Sequence, residues 1–257
     1  MNAGPHVAIN RDYWNGVAHQ WVAAGERLWA SEPRWGNWGI PETELGLLPA
    51  DMTGMATIEL GCGTGYVSGW MVRRGATATA IDVSAEQLAT ARRLAGEHKA
   101  TIDFLEGNAE TVPFDDGAFD FAISEYGAAI WCDPELWLRE AWRLLRPGGR
   151  LVFLGSHPLT IITTPLNGAP CETVLHRPYW GLSSVDWSDV EIDPGGFEFN
   201  RTFEGWIGLF HDVGFRIEHY REIYAPAAAT EAHCYVPAEW AKDYPSEQVW
   251  WLKKTES

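Results

Sequence analysis

The sequence lacks the features that would mark a membrane-spanning, secreted or zinc-binding chain. Its 257 residues include no uninterrupted apolar run of eighteen or more, so no membrane span is expected. Residues 1–10 do not join a basic segment to an apolar one, and we therefore expect no secretory signal and a cytoplasmic location. The four cysteines, Cys62, Cys132, Cys171 and Cys234, form no Cys-x-x-Cys pair, so we expect reduced thiols and no metal site.

Basic residues are also scarce. The chain has 19 Lys and Arg against 35 Asp and Glu, which gives a formal net charge of -16. A protein this acidic repels phosphate backbones, so a nucleic-acid partner is not expected. The short basic clusters at 73–74, 92–93 and 253–254 are most simply solvated faces.

The sequence is rich in apolar residues and in alternating strand and helix patterns. Apolar residues make up 46% of the chain, enough for one large α/β domain. Residues 1–50 carry a tryptophan-rich helical pattern and are predicted to form an N-terminal helical cap, hereafter the cap. Residues 51–257 are predicted to form the main domain. Within that domain residues 158–200 are irregular and rich in Pro, Gly and Trp, which is typical of a substrate-covering lid, hereafter the lid.

Periodicity predicts the individual elements of a doubly wound parallel sheet. The predicted strands are 56–60, 77–82, 101–105, 118–124, 150–156, 215–223 and 248–253. The predicted helices are 13–30, 42–48, 66–74, 84–97, 134–145 and 203–213.

A glycine-rich loop follows the first strand of that sheet. Gly61, Gly63 and Gly65 come directly after a strand that contains Glu59. Glycine makes a tight strand-to-helix turn possible and lets a ligand approach the backbone. The spacing is G-x-G-x-G, and Tyr66 stands where a dinucleotide fingerprint requires its third glycine. The loop by itself is compatible with a nucleotide site or with a plain tight turn.

Two further polar positions fall in register with this loop. Asp82 ends the second strand, where a carboxylate can accept hydrogen bonds from two ribose hydroxyls. Ser84 is a predicted N-cap with Gln87 as its capping-box partner. Asn108 follows the third strand, where its side-chain oxygen can accept from an adenine amino group. Together these positions predict an adenosine site at the carboxyl edge of the sheet.

The segment from about 56 to 156 resembles class I S-adenosylmethionine-dependent methyltransferases of the small-molecule type, such as the ubiquinone/menaquinone group. The resemblance is carried by ELGCGTGY at 59–66, AIDVS at 80–84, GNAETVPFDDGAFD at 107–120 and LLRPGG at 144–149. It implies a Rossmann-like seven-stranded sheet of order 3-2-1-4-5-7-6 with an antiparallel last strand. It also implies S-adenosyl-L-methionine (SAM) as cofactor and S-adenosyl-L-homocysteine (SAH) as product.

The resemblance and the order of the motifs assign candidate roles. The candidate cofactor-binding residues are Tyr13, Trp14, Glu59, Gly61, Cys62, Gly63, Gly65, Asp82, Val83, Gln87, Asn108, Ala109, Glu110, Ser124, Glu125 and Tyr126. The candidate substrate-binding residues are Trp35, Trp38, Tyr126, His157 and Tyr179. The candidate catalytic residues are His157 and Glu125, since either carries a group that can accept a proton.

Four functions are compared. The leading one is in-line methyl transfer to a small-molecule acceptor, with O or N favoured and C possible, by a monomer or homodimer. The alternative is a SAM-binding sensor or scaffold without methylation activity. A nucleic-acid methyltransferase is disfavoured because Ser124-Glu125-Tyr126-Gly127 stands where a D/N-P-P-Y/F motif would be, and a nicotinamide oxidoreductase is disfavoured by Tyr66.

Overall fold

The fold is built on one mixed β-sheet with helices on both faces. A computed structural model describes residues 4–255. Its strands are β1 (Arg34–Trp35), β2 (Ile40–Pro41), β3 (Ala56–Leu60), β4 (Thr77–Asp82), β5 (Ile102–Glu106), β6 (Phe119–Glu125), β7 (Leu145–Ser156), β8 (Ser184–Asp186), β9 (Phe197–Phe199), β10 (Phe215–Ile223) and β11 (Glu247–Lys254). Its helices are α1 (Pro5–Ala30), α2 (Glu42–Leu45), α3 (Tyr66–Arg73), α4 (Ala85–Glu97), α5 (Gly127–Trp131), α6 (Pro134–Leu144), α7 (Pro158–Thr163), α8 (Phe203–Val213) and α9 (Ala238–Asp243).

The sheet topology matches the order implied by the resemblance. Seven strands lie in the order β10-β11-β7-β6-β3-β4-β5. Counted along the chain within the sheet, this is 3-2-1-4-5-7-6 read from the β5 edge. The last strand, β11, is antiparallel to both β10 and β7, while β3, β4, β5, β6 and β7 pair in parallel. The predicted doubly wound, Rossmann-like α/β fold is therefore confirmed.

The central strands are apolar because helices cover both faces of the sheet. Ile58, Ile123 and Leu154 are completely buried, although they lie on three different strands. One face packs against α6 and α8 through a cluster that contains Trp137 and Phe210. The other face packs against α3 and residues 35–52.

The cap is tied to the sheet by its first helix. The helix α1 starts at Pro5, earlier than the predicted residue 13, because proline is favoured in the first helical turn. At its end the indole of Trp29 donates to the carbonyl oxygen of Thr64 at 2.8 Å, and Arg73 donates to the carbonyl oxygen of Trp29 at 2.9 Å. The cap boundary at residue 50 stays a prediction, and residues 1–3 and 256–257 lie outside the described part.

The lid is less irregular than predicted. It contains α7 at its start and the antiparallel pair β8–β9 near its end. The short helices α5 and α9 were also not predicted, since five or six residues give too little periodicity. Residues 146–149, predicted to break the chain between a helix and a strand, belong to β7 in the structure. There the pairing of β6 with β7 shifts register between the pairs Phe119↔Leu145 and Phe121↔Arg150.

Between residues 4 and 255, no helix combines the length and apolar character needed to cross a membrane. The cytoplasmic location stays a prediction.

Candidate functional site

A cavity of about 650 Å³ lies at the carboxyl edge of the parallel strands. Its walls come from α1 and the segment after it, from the loops that follow β3, β4, β5 and β6, and from the lid. The cavity therefore collects residues from the whole length of the chain. It falls at the edge where parallel α/β sheets bind their ligands.

The glycine loop forms the floor of the cavity. Gly61, Gly63 and Gly65 all have positive φ angles (+77°, +51° and +77°), which favour glycine. A Cβ on Gly61 would lie 2.6 Å from the Cα of Gly127, whereas a Cβ on Gly63 would meet nothing within 4 Å. Gly61 is thus required for packing against the turn after β6, and Gly63 leaves its backbone open to the cavity.

Asp82 holds this loop in place. Its Oδ2 accepts from the backbone N–H of Gly63 at 2.7 Å, and its Oδ1 accepts from the N–H of Ser84 at 2.9 Å. Burial raises the pKa of Asp82, although these backbone hydrogen bonds oppose the shift. Each carboxylate oxygen retains a lone pair, so Asp82 can also accept from a ligand.

Gln87 and Asn108 lie on either side of Asp82. The backbone N–H of Gln87 donates to Ser84 Oγ at 3.1 Å, which confirms the predicted N-cap. Gln87 Oε1 is buried and has no hydrogen-bond partner among the described residues, although Gln87 lines the cavity. Asn108 Oδ1 accepts from the N–H of Glu110 at 3.0 Å, so only its second lone pair is available to a ligand.

Two acidic side chains lie beside the glycine loop. Glu59 Oε2 accepts from both the N–H and the hydroxyl of Ser68, at 2.8 and 2.5 Å. Complete burial still raises the pKa of Glu59 to about 8. Glu125 accepts from the N–H of Gly36 at 2.8 Å and from the Tyr66 hydroxyl, and burial raises its pKa as well.

Tyr126 has a strained backbone at the end of β6. Its φ of +58° is rare for a residue with a side chain and costs on the order of 1–3 kcal/mol. Its hydroxyl donates to Glu247 Oε1 at 2.7 Å, and its N–H donates to Leu154 O at 2.8 Å. Tyr126 lines the cavity from this position.

Comparison with known proteins identifies the domain that contains this cavity. Residues 58–153 match the family model described as a methyltransferase domain. A malonyl-(acyl-carrier protein) O-methyltransferase of Pectobacterium atrosepticum is 40% identical over 114 residues, which are 44% of this chain and 42% of that protein. A demethylmenaquinone methyltransferase of Lactococcus lactis is 37% identical over 113 residues, 42% of this chain and 45% of that protein.

The solved structure of an S-adenosylmethionine dependent methyltransferase from Mesorhizobium loti resembles this chain with a TM-score of 0.67 and 24% sequence identity. The superposition covers 85% of this chain and 100% of that one. That likeness shows the fold. Residues 58–153 therefore form a methyltransferase domain, and the fold around them is that of SAM-dependent methyltransferases. The matched segments span less than half the length of the two curated relatives, so their substrates are not carried over.

SAM is the cofactor of this class, and the residues of the methyltransferase domain fit it. The unpartnered Gln87 Oε1 requires a donor, which a ribose hydroxyl or an adenine amino group supplies. The bare backbone at Gly63 leaves space for a ligand, and Asp82 offers two acceptor oxygens. Glu59 and Glu125 place buried carboxyl groups near a cofactor that carries an ammonium and a sulfonium, and a bound cation would favour the ionised form of each.

Most of the predicted cofactor residues line the cavity of the methyltransferase domain. They are Tyr13, Trp14, Glu59, Gly61, Cys62, Gly63, Asp82, Val83, Gln87, Asn108, Ala109, Glu125 and Tyr126. Their individual roles stay predictions.

Three predicted cofactor residues do not line the cavity, because each has a structural role beside it. Gly65 starts α3 with a positive φ and packs against Phe104. Glu110 accepts from the N–H of Asp133 at 2.8 Å and lies 2.6 Å from His6. The Ser124 hydroxyl donates to Leu60 O at 2.7 Å.

Three predicted substrate residues also do not line the cavity. Trp35 is completely buried and donates to Glu42 at 2.6 Å. Trp38 donates to Ser246 at 2.8 Å, and the exposed Tyr179 accepts from the N–H of Phe203 at 2.7 Å.

His157, predicted as a base and substrate contact, does not line the cavity either. Its Nδ1 accepts from the N–H of Leu159 at 3.2 Å, so it caps the N-terminus of α7. Burial lowers its pKa to about 4, and its Nε2 lies 3.4 Å from Glu222 on the side away from the cavity. The structure therefore gives His157 a capping role in place of the predicted one.

The sequence analysis missed several cavity residues that the lid and its neighbours supply. Trp131, Ser156, Trp187, Glu198 and Tyr235 all line the cavity. The aromatic richness of the lid pointed to a binding role for the segment. No motif distinguished Glu198 from the other acidic residues of the lid.

Proposed function

We propose that the protein transfers the methyl group of SAM directly to a small-molecule acceptor, with an oxygen or nitrogen atom favoured as the acceptor and carbon as the further possibility. The single observation that supports this most is the continuity of the cavity. One side is lined by Gly63, Asp82 and Gln87, and the other by Trp187 and Glu198 of the lid. A cofactor and an acceptor can therefore meet in one continuous cavity.

The side chains contribute mainly orientation and exclusion of water. When bound, SAM supplies a methyl group already activated by the positive sulfur. Asp82 and Gln87 hold the adenosine end, Glu59 and the backbone of the glycine loop hold the methionine end, and Tyr126 lines the space at the end of β6. Alignment of two reactants in this way accounts for rate gains equivalent to effective molarities of about 10⁵–10⁸ M.

The organisation of the chain supports the same proposal. The cap (1–50) closes the cavity through Tyr13 and Trp14, and the lid (158–200) closes it through Trp187 and Glu198. We propose that these two segments cover the cofactor and the acceptor, respectively. The expected monomer or homodimer and the absence of a nucleic-acid partner stay predictions.

Equilibrium binding followed by a turnover screen tests the function. We expect SAM and SAH to bind in isothermal titration calorimetry, and NAD not to bind. Incubation with SAM and a metabolite library should yield SAH together with a methylated product identified by mass spectrometry. Tight NAD binding without SAM binding would overturn the proposal. SAM binding without SAH formation for any library member would favour the sensor or scaffold.

A further inference from the structure

Glu198 carries a buried carboxylate oxygen that has no partner within the described chain. The residue lies on β9 of the lid, is 4% exposed and lines the cavity. Its Oε2 accepts from the indole N–H of Trp187 at 2.9 Å, while Oε1 has no hydrogen-bond partner among the described residues. Leaving a buried acceptor unpaired is destabilising, and more so for a charged group. A ligand that donates a hydrogen bond would remove that cost.

The strand that carries Glu198 is anchored on both sides. Asn10 of α1 accepts from the N–H of Phe197 at 2.6 Å and donates to its carbonyl oxygen at 2.9 Å. Asn200 donates to the carbonyl oxygen of Ser156 at 2.9 Å. The two anchored residues, Phe197 and Asn200, lie one position before Glu198 and two positions after it. The carboxylate is therefore held in place before any ligand arrives, as a functional group must be.

These anchors also fix where Glu198 lies relative to the cofactor half of the cavity. Ser156 ends β7, and β7 pairs with β6 through Glu125↔Leu154. The N–H of Tyr126 donates to Leu154 O, so Ser156 lies next to the strained turn at Tyr126. The strand that carries Glu198 is thus tied to the end of β7, the neighbour of β6 and Glu125 in the main sheet.

The surroundings of Glu198 favour a neutral acceptor with an apolar body. Trp131, Trp187 and Tyr235 line this part of the cavity, and aromatic walls suit an aromatic or apolar ligand. The arginines that line the cavity, Arg27 and Arg34, come from the cap and not from the lid. A negatively charged acceptor would therefore lie beside the acidic residues Glu198 and Asp193, and no basic residue of the lid lines the cavity to balance its charge.

The charged and titratable groups near Glu198 are few. Arg177 stacks on Trp187 at 4.7 Å and donates to backbone carbonyl oxygens, and its charge favours the ionised carboxylate. Burial raises the pKa of Glu198 to about 7, although the nearby Ser156 hydroxyl, the Trp187 indole and the charge of Arg177 all favour the ionised form. Tyr235 faces the same space, and burial together with Glu198 raises the pKa of its hydroxyl.

We propose that Glu198 Oε1 takes the proton of the acceptor's hydroxyl group, and that the acceptor is a neutral phenol with an apolar body. This inference rests on the proposed methyl transfer. The O–H bond breaks with its proton passing to Glu198, the acceptor oxygen bonds to the methyl carbon, and the electron pair of the broken S–C bond stays on sulfur. The products are a methyl ether and SAH, and Glu198 then returns the proton to water.

The first test measures binding without turnover. A panel of alkyl- and aryl-substituted phenols, with their anilines and methyl ethers, is titrated by calorimetry into protein saturated with SAH. We expect at least one phenol to bind more tightly than its methyl ether, which has no proton to donate. The Glu198→Gln variant should bind that phenol at least about tenfold more weakly than the wild type, which corresponds to the loss of one hydrogen bond to a charged group. Equal binding to both proteins, preference for the anilines, or no phenol binding at all would overturn the proposal.

The second test uses the pH profile of methyl transfer to the tightest-binding phenol. Since only the ionised carboxylate accepts a proton, kcat should rise with pH through about 7 and then level off. Glu198→Gln should lower kcat by about 10²–10⁴-fold and abolish that rise. An unchanged profile would contradict a base at this position.

Matched controls separate this inference from the proposed function and from folding. Glu191→Gln changes an exposed acid of the same lid and should alter neither measurement. SAM affinity should be the same in Glu198→Gln as in the wild type. If the wild type itself fails to bind SAM, the proposed function fails. If SAM binds while the phenol results contradict the expectation, only the assignment of Glu198 fails.

Discussion

The two halves of the cavity are built in different ways. The cofactor half uses residues close together in sequence on neighbouring strand ends, such as Asp82, whose carboxylate holds Gly63 from 19 positions away. The acceptor half uses contacts across almost the whole chain, such as Asn10 with Phe197, 187 positions apart. A short motif can specify the first half. The second exists only once the cap, the lid and β7 have packed together.

The halves also differ in how they hold buried carboxylates. Glu59, in the cofactor half, receives two hydrogen bonds from Ser68. Glu198, in the acceptor half, receives one, from Trp187, and keeps an unpaired oxygen. Burial raises the pKa of both groups, to about 8 and about 7. The cofactor half is thus already braced by the protein, while the acceptor half leaves an acceptor for a ligand.

The largest expected effect is a loss of stability when Gly61, in the floor of the cavity, is substituted. Gly61→Ala should cost about 2–5 kcal/mol of unfolding free energy, because the residue has a left-handed φ and its Cβ would collide with the backbone of Gly127. Chemical denaturation measures the loss. The control is Gly16→Ala, at an exposed helical position where a Cβ meets nothing within 4 Å, which should stabilise the protein by up to about 1 kcal/mol. Equal effects at both positions would refute the close packing.

A smaller effect on the free energy of unfolding is expected when the pH of the unliganded protein is raised. The pKa values of Glu59 and Glu198 are raised from 4.5 to about 8 and about 7, so both groups stay protonated in the folded state while they ionise in the unfolded one. Their contribution to stability is complete below about 4.5 and is lost as pH rises toward 7–8. Denaturation curves at intervals between these pH values should show the decline.

Substitution shows which half causes that decline. Glu198→Gln should reduce the part of the slope that ends near pH 7, since glutamine does not titrate, while the contribution of Glu247, whose pKa burial also raises to about 7, remains. Glu191→Gln, an exposed acid of the lid, should leave the slope as it is. A decline of the same steepness in all three proteins would show that the buried acids do not cause it.

A moderate effect on affinity is expected at the ribose position. Asp82→Asn keeps the shape of the side chain but removes its charge, and the loss of about 1.5–3 kcal/mol corresponds to roughly 10–100-fold weaker SAM binding. Calorimetry with SAM provides the measurement. Glu106→Gln changes an exposed acid that pairs with Asp82 in the sheet and should bind SAM normally. Unchanged affinity in Asp82→Asn would refute the ribose assignment.

The smallest effect is expected at the start of the lid. His157→Asn retains a good N-cap for α7 but loses the contact with Phe203, so stability should fall by about 1 kcal/mol. Turnover and its pH profile should not change, since His157 does not line the cavity. Loss of the pH dependence in this variant would restore His157 as the base and contradict the assignment of Glu198.

Sequence reasoning worked best where local periodicity and burial agree. The strands 56–60 and 77–82 were predicted with the bounds of β3 and β4, because both are buried runs bordered by glycine and polar turns. The start of α1 was placed eight residues late, because the apolar residues of its first turns, Val7, Ala8 and Ile9, are consecutive and form no stripe at helical spacing. The three-residue strands β8 and β9 are too short to leave a periodic signal.

The site divides in the same way. Asp82, Gln87, Gly61 and Gly63 were predicted from the sequence and line the cavity. Glu110, within a motif, and Ser124, at the end of β6, were predicted in the same way but make hydrogen bonds beside the cavity, because position in the sequence does not fix side-chain direction. His157 was expected at the cavity from its place after β7, yet its side chain is used as a helix cap.

The sequence by itself determined the order of the elements, the sharp turn at Gly61–Gly65 and the acidic residue at the end of β4, because these follow from short-range sterics and periodicity. Only the tertiary structure decided which acids face the cavity and which are used for packing. Glu198 reaches the cavity because Asn10 and Asn200 hold its strand against α1 and β7. Contacts between residues so distant in sequence leave no local pattern, since the burial and pairing that define them arise only when the chain has folded.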